Sequence, residues 1–83
     1  MISTPTKNPN YFVSSKGFSL EIVMPHNFIY REEGREIDIY VEPLTGSIPF
    51  AVYRESIPKE EQERILENIR EVFRYQGYDI DVE

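Results

Sequence analysis

Asp79 and Asp81 stand two residues apart in the segment Tyr78-Asp79-Ile80-Asp81-Val82. In an extended strand alternate side chains share a face, so both carboxylates would point the same way. Such a pair can ligate a divalent cation or divide acid and base roles. Neither use has support nearby, because no histidine and no glycine-bearing calcium loop accompanies the pair. Solvated edge charges that discourage sheet-to-sheet pairing explain them more simply. His26 is the only histidine, and Pro25-His26-Asn27 has the composition of a turn. No nucleophile elbow, phosphate-cradling glycine loop or metal-ligand spacing surrounds Ser56 or the other hydroxyls. The expectation is a non-catalytic chain without metal or cofactor. A small enzyme using Asp79 and Asp81, or Glu36 and Asp38, is the less favoured reading.

The elements that would position these groups belong to a chain of 83 residues, enough for one small domain. A chain of this length buries roughly 60% of the surface it exposes when unfolded, so its core must be thin. With no cysteine, disulfides and thiolate metal sites are excluded. No apolar run approaches the roughly 20 residues that span a bilayer. The first ten residues lack the basic-then-apolar layout of a signal peptide, so a cytoplasmic protein away from membranes is expected. The formal charge of −6 argues against nucleic-acid binding, which needs clustered cations to neutralise phosphates. It suits a basic partner, although acidity also serves simple solubility.

Residues 1–17 read as a flexible N-terminal arm, in which Tyr11-Phe12-Val13 could be a short edge strand or fold over the core; residues 18–83 form the α+β domain. Phe18 to Met24 alternates apolar and polar residues, the signal of a half-buried strand. Pro25 is expected to end it. Phe28 to Glu32 is a second strand, and Glu33-Gly34 supplies a two-residue turn. Glu36 to Glu42 alternates most cleanly. Ile48 to Glu55 follows, with Pro49 implying that it lies near a sheet edge or starts late. From Pro58 the period becomes helical: Ile65, Leu66, Ile69, Val72 and Phe73 make one stripe. Ser56 is the only good capping residue ahead of it. Glu60 with Arg64, Glu67 with Arg70 and Glu71 with Arg74 have ion-pair spacing. Gly77 is a left-handed stop, flanked by Tyr75 and Tyr78 as closure of the helix end. Tyr78 to Val82 returns to strand. The order ββββαβ predicts a single, mainly antiparallel sheet of about five strands with one long helix on one face. The last strand is expected to pair antiparallel beside the first or third.

If the apolar strand faces meet the helix, alternation puts the acids on the opposite face. The candidate binding residues there are Glu36, Asp38, Tyr40, Glu42, Tyr53, Glu55, Asp79 and Asp81, with Glu21 alongside. One solvated polar face is ordinary for an antiparallel sheet. Tyrosines among carboxylates favour a protein partner, since tyrosine offers packing area and a hydrogen bond at once. The same face could pair two copies of the chain.

Two segments carry a resemblance. One is Tyr30-Arg31-Glu32-Glu33-Gly34-Arg35-Glu36-Ile37-Asp38-Ile39, leading to Glu42. The other is Val52-Tyr53-Arg54-Glu55-Ser56-Ile57, followed by Glu63-Arg64-Ile65-Leu66-Glu67-Asn68-Ile69 and by Gln76-Gly77-Tyr78. From about Phe18 onward the chain resembles immunity protein family 74 of bacterial polymorphic toxin systems. The resemblance implies a small α+β protein that neutralises a cognate toxin by stoichiometric binding, without catalysis. A regulatory or structural interaction module of another system is the alternative.

Overall fold

Alternating strands and one amphipathic stripe assemble into a curled sheet with a single helix against it. The computed structural model describes residues 1–24 and 26–83. The strands are β1 (Ile2–Ser3), β2 (Tyr11–Ser14), β3 (Phe18–Val23), β4 (Asn27–Glu32), β5 (Arg35–Pro43), β6 (Phe50–Val52) and β7 (Asp81–Val82). They lie side by side in chain order. Neighbours are antiparallel from β1 to β6, and β7 runs parallel to β6. The helix α1 (Gln62–Tyr75) follows two short 3-10 turns, Arg54–Ser56 and Lys59–Glu61.

Register explains the core. Phe12, Leu20, Tyr30 and Ile37 stand opposite one another across β2 to β5; Ile22, Phe28 and Ile39 form the next row. Val41, Val52 and Val82 form a third. These rows meet the α1 stripe of Ile65, Leu66, Ile69, Val72 and Phe73, all buried as the helical spacing predicts. Phe28, Phe50 and Phe73 pack ring on ring, with centroids 5.2 to 5.9 Å apart. Two turns follow directly from residue type. Glu33 and Gly34 both take positive φ, 52° and 79°, the conformation that matches hairpin twist. Gly77, at φ 88°, closes α1: its N–H reaches the Arg74 carbonyl, and the Tyr78 N–H reaches that of Phe73. Both bonds satisfy carbonyls that the helix end would otherwise leave open.

Several expectations need correction. The α+β sheet-and-helix arrangement stands, but the described residues form seven strands rather than about five, and the sheet is mixed. The last strand pairs parallel with β6 because the chain crosses over through α1 and returns in the same direction. Within the segment read as an arm, β1 and β2 extend the sheet, with Ile2 and Phe12 buried in the core. The strand read from Ile48 to Glu55 is only Phe50–Val52, and the final strand only Asp81–Val82. The expectation that Pro25 ends β3 lies outside the described residues.

The helix differs at both ends. It begins at Gln62 rather than near Pro58, and among the described residues no side chain caps it. Ser56 does other work, described below. Tyr75 and Tyr78 are more than half exposed, so they do not close the helix end. The cations near and on α1 take other partners than the expected ones. Arg64 binds Glu32 on β4 and Glu61, and Arg35 binds both of these carboxylates. Glu71 binds Lys16 in the β2–β3 turn, Arg70 binds Asp79, and Arg74 binds Glu67.

Candidate functional site

The side of the sheet turned away from α1 carries the second half of each strand's alternation. Its residues fall into cross-strand rows fixed by register. Val13, Ser19, Arg31 and Glu36 make the first row; Tyr11, Glu21, Ile29 and Asp38 make the second. Val23, Asn27 and Tyr40 make the third, and Glu42, Ala51 and Asp81 lie across β5, β6 and β7. Tyr53 follows β6 and donates its backbone N–H to the Tyr40 carbonyl at 3.0 Å, extending the third row.

Of the eight residues expected on this face, the structure brings six to it: Glu36, Asp38, Tyr40, Glu42, Tyr53 and Asp81. Glu55 and Asp79 are corrections. The chain leaves β6 at Tyr53 and turns, so Glu55 sits in the short 3-10 turn instead of an extended strand. Asp79 precedes β7, and its Oδ1 accepts from Arg70 of α1 at 2.9 Å and from the Ile80 N–H at 2.8 Å. The Ile80 N–H and then the Arg70 charge hold its carboxyl below the usual range. Asp79 is thus engaged by α1, while Asp81 stands in register with Ala51 on the open face. Among the described residues no group of three or more histidine or carboxylate side chains is arranged to hold a metal ion.

The electrostatics divide the face. Toward β3 and β4, Arg31 lies between two carboxylates, 3.1 Å from Glu21 and 2.8 Å from Glu36. These two acids push its guanidinium further up. Toward β5 to β7, Asp38, Glu42 and Asp81 have no ion-pair partner among the described residues.

That second region also holds aromatic rings, Tyr40 exposed and Tyr53 half-buried. Tyr40 and Tyr53 have centroids 5.0 Å apart, and His26 stacks on Tyr40 at 6.1 Å. Sequence placed His26 only in a turn; its carbonyl accepts the Val41 N–H, which sets it against β5. The Tyr53 hydroxyl donates to Glu42 at 3.0 Å, and that carboxylate raises the phenol's pKa. Ser56 fixes the pair from behind: its Oγ accepts the Tyr40 N–H at 3.0 Å and donates to the Tyr53 carbonyl at 2.8 Å. Val23, in the row with Tyr40, adds exposed apolar surface beside these rings.

A cleft of about 500 Å³ opens at the opposite end, lined by Tyr11, Val13, Ser19, Arg31 and Glu36 among others. It lies beside Glu36 but not beside Asp38, Asp79 or Asp81, and Glu36 is already engaged by Arg31. No family model, curated protein or solved structure matches the chain. Among the described residues no helix is long and apolar enough to cross a membrane.

Proposed function

We propose that this chain is a non-catalytic protein-binding domain that neutralises a cognate bacterial toxin by stoichiometric attachment. The observation that carries the reading is the uncovered sheet face, where the Tyr40 and Tyr53 rings stand among Asp38, Glu42 and Asp81, carboxylates with no ion-pair partner among the described residues. Rings with polar handles and low side-chain freedom suit a binding surface. The acids suit a basic partner and speed its encounter in a salt-sensitive way. The resemblance of the Tyr30–Glu42 and Val52–Tyr78 segments to immunity protein family 74 supplies the kind of partner. A toxin that cleaves nucleic acid would present a basic groove of this complementary sign.

Co-expression with a toxin encoded beside its gene is the direct test. Restored growth, together with a one-to-one complex on size exclusion, is the expected result. Undiminished toxicity in cells that accumulate the folded chain would sink the immunity reading.

A further inference from the structure

We propose that the partner docks on the β5–β7 half of the open face, centred on Tyr40 and Tyr53, and offers arginine side chains to Asp38, Glu42 and Asp81. The proposal rests on the protein-binding reading above and locates its site and the chemistry of its occupant. The two halves of the face are not equivalent. A partner landing on the β3–β4 half meets Arg31 already bracketed by Glu21 and Glu36. Gaining a contact there means breaking an existing ion pair, so the exchange brings little.

The other half carries no such cost. Its carboxylates have no cation of their own among the described residues, and the Tyr40 ring beside them is accessible at 47%, with Tyr53 half-buried against it. The rings are also held in advance. Tyr53 is bonded to Glu42, and Ser56 bonds the backbones of both tyrosines. A surface ordered before binding loses less entropy on association. Interface energy concentrates in a few such aromatic anchors, surrounded by contacts that exclude water.

Charge and shape together choose the occupant. Arginine both stacks on aromatic rings and binds a carboxylate with two parallel donors, and this half offers rings and carboxylates side by side. Val23, in the same cross-strand row as Tyr40, extends the patch with apolar surface at 38% exposure. The complementary surface is therefore basic and partly apolar, which describes a protein. Phosphate-bearing surfaces are repelled by a chain of net charge −6. His26 and Val23 join the site, and Glu36 leaves it.

Titration of the 15N-labelled full chain with the peptide acetyl-Arg-Leu-Arg-Leu-Arg-amide, followed by amide shifts, tests the assignment. Saturable shifts at Asp38, Tyr40, Glu42, Tyr53 and Asp81 are expected, with little change at Ser19, Arg31 and Glu36. The peptide acetyl-Glu-Leu-Glu-Leu-Glu-amide should produce none. Tyr40→Ala should weaken the response several-fold, and so should Asp38→Asn with Glu42→Gln, which leaves both rings in place. Shifts centred on Glu21, Arg31 and Glu36, equal responses to the two peptides, or no saturable shift would each overturn the proposal. The two readings fail separately. Growth rescue without binding at Tyr40 removes this site and leaves immunity standing. Binding at Tyr40 without rescue removes immunity and leaves the site.

Discussion

The phenol of Tyr30, a fully buried residue of β4, accepts a hydrogen bond from the Asn68 side-chain amide of α1 at 2.9 Å and donates to Glu32 at 3.2 Å. This is the polar seam between sheet and helix. Glu32 continues it outward, through Arg35 and Arg64, to Glu61 just ahead of α1. The apolar stripe supplies the general attraction between the two layers. The seam fixes how far α1 slides along the sheet, because a shift of one helical turn would strand a buried phenol.

Tyr30→Phe should therefore destabilise the protein although it keeps the ring. The Asn68 amide and the Glu32 carboxylate would each lose a partner in a partly buried place. The expected loss is about 1–2 kcal/mol, read as a lower urea midpoint with an unchanged slope. Asn68→Ala should cost less when added to Tyr30→Phe than when made alone, since both remove the same bond. Additive losses would show that the two side chains act independently.

Glu61 makes stability depend on acid. The hydrogen bond and charge of Arg35, with help from Arg64, hold its carboxyl below the ordinary value of 4.5 in the folded chain. A depressed folded pKa gives stability that is fully present above the unfolded value and is lost as pH falls through the folded one. The loss therefore falls below about pH 4.5. Arg35 and Arg64 are pushed up and stay charged throughout. Glu61→Gln should lower the urea midpoint at pH 7, and the gap to the parent should close as pH falls below 4. A gap of constant size from pH 7 to pH 3 would mean that the glutamate acts through packing rather than charge.

The parts of this fold that could be read from sequence are those where a period records burial. The α1 stripe and the rows of β3 to β5 repeat their apolar residues because one side of each meets the core. The Glu33-Gly34 turn was readable from residue type and spacing. What escaped depends on pairings between distant segments. Arg31 neutralises Glu36 because register sets them opposite each other, and no local pattern announces that. Ser56 has the composition of a cap, but the tight turn after Tyr53 spends its hydroxyl on β5. Asp79 alternates correctly with Asp81, yet Arg70 near the end of α1 takes it away from the open face. The parallel placement of β7 likewise follows from the crossover rather than from its own few residues.

Ile2 tests whether the first strand contributes to the fold. It is 6% exposed and pairs with Ser14, while the sequence around it looks like a loose arm. Ile2→Ala removes buried methyl groups at a sheet edge and should cost about 2 kcal/mol. Amide exchange should rise at Ser3, Val13 and Ser14, while Tyr30 and Ile39 stay protected. A change within about 0.5 kcal/mol, the range of ordinary surface substitutions, would show that β1 adds nothing to stability.

Ser56 links the fold to the open face. Its hydroxyl is the partner of the Tyr40 N–H, and it ties down the Tyr53 carbonyl. In Ser56→Ala the Tyr40 N–H faces a methyl group. The expected cost is about 1 kcal/mol. The larger effect should be geometric: the Tyr40 and Tyr53 rings, 5.0 Å apart in the parent, lose their common brace. Ring-proton shifts of both tyrosines should move toward exposed values, and affinity for the arginine-bearing peptide should fall by several-fold. Ser56→Thr retains the hydroxyl and should restore both. Weakened stability with unchanged ring shifts and unchanged affinity would make Ser56 a fold residue only. Coupled loss, rescued by threonine, would make it the residue that positions the aromatic pair for its partner.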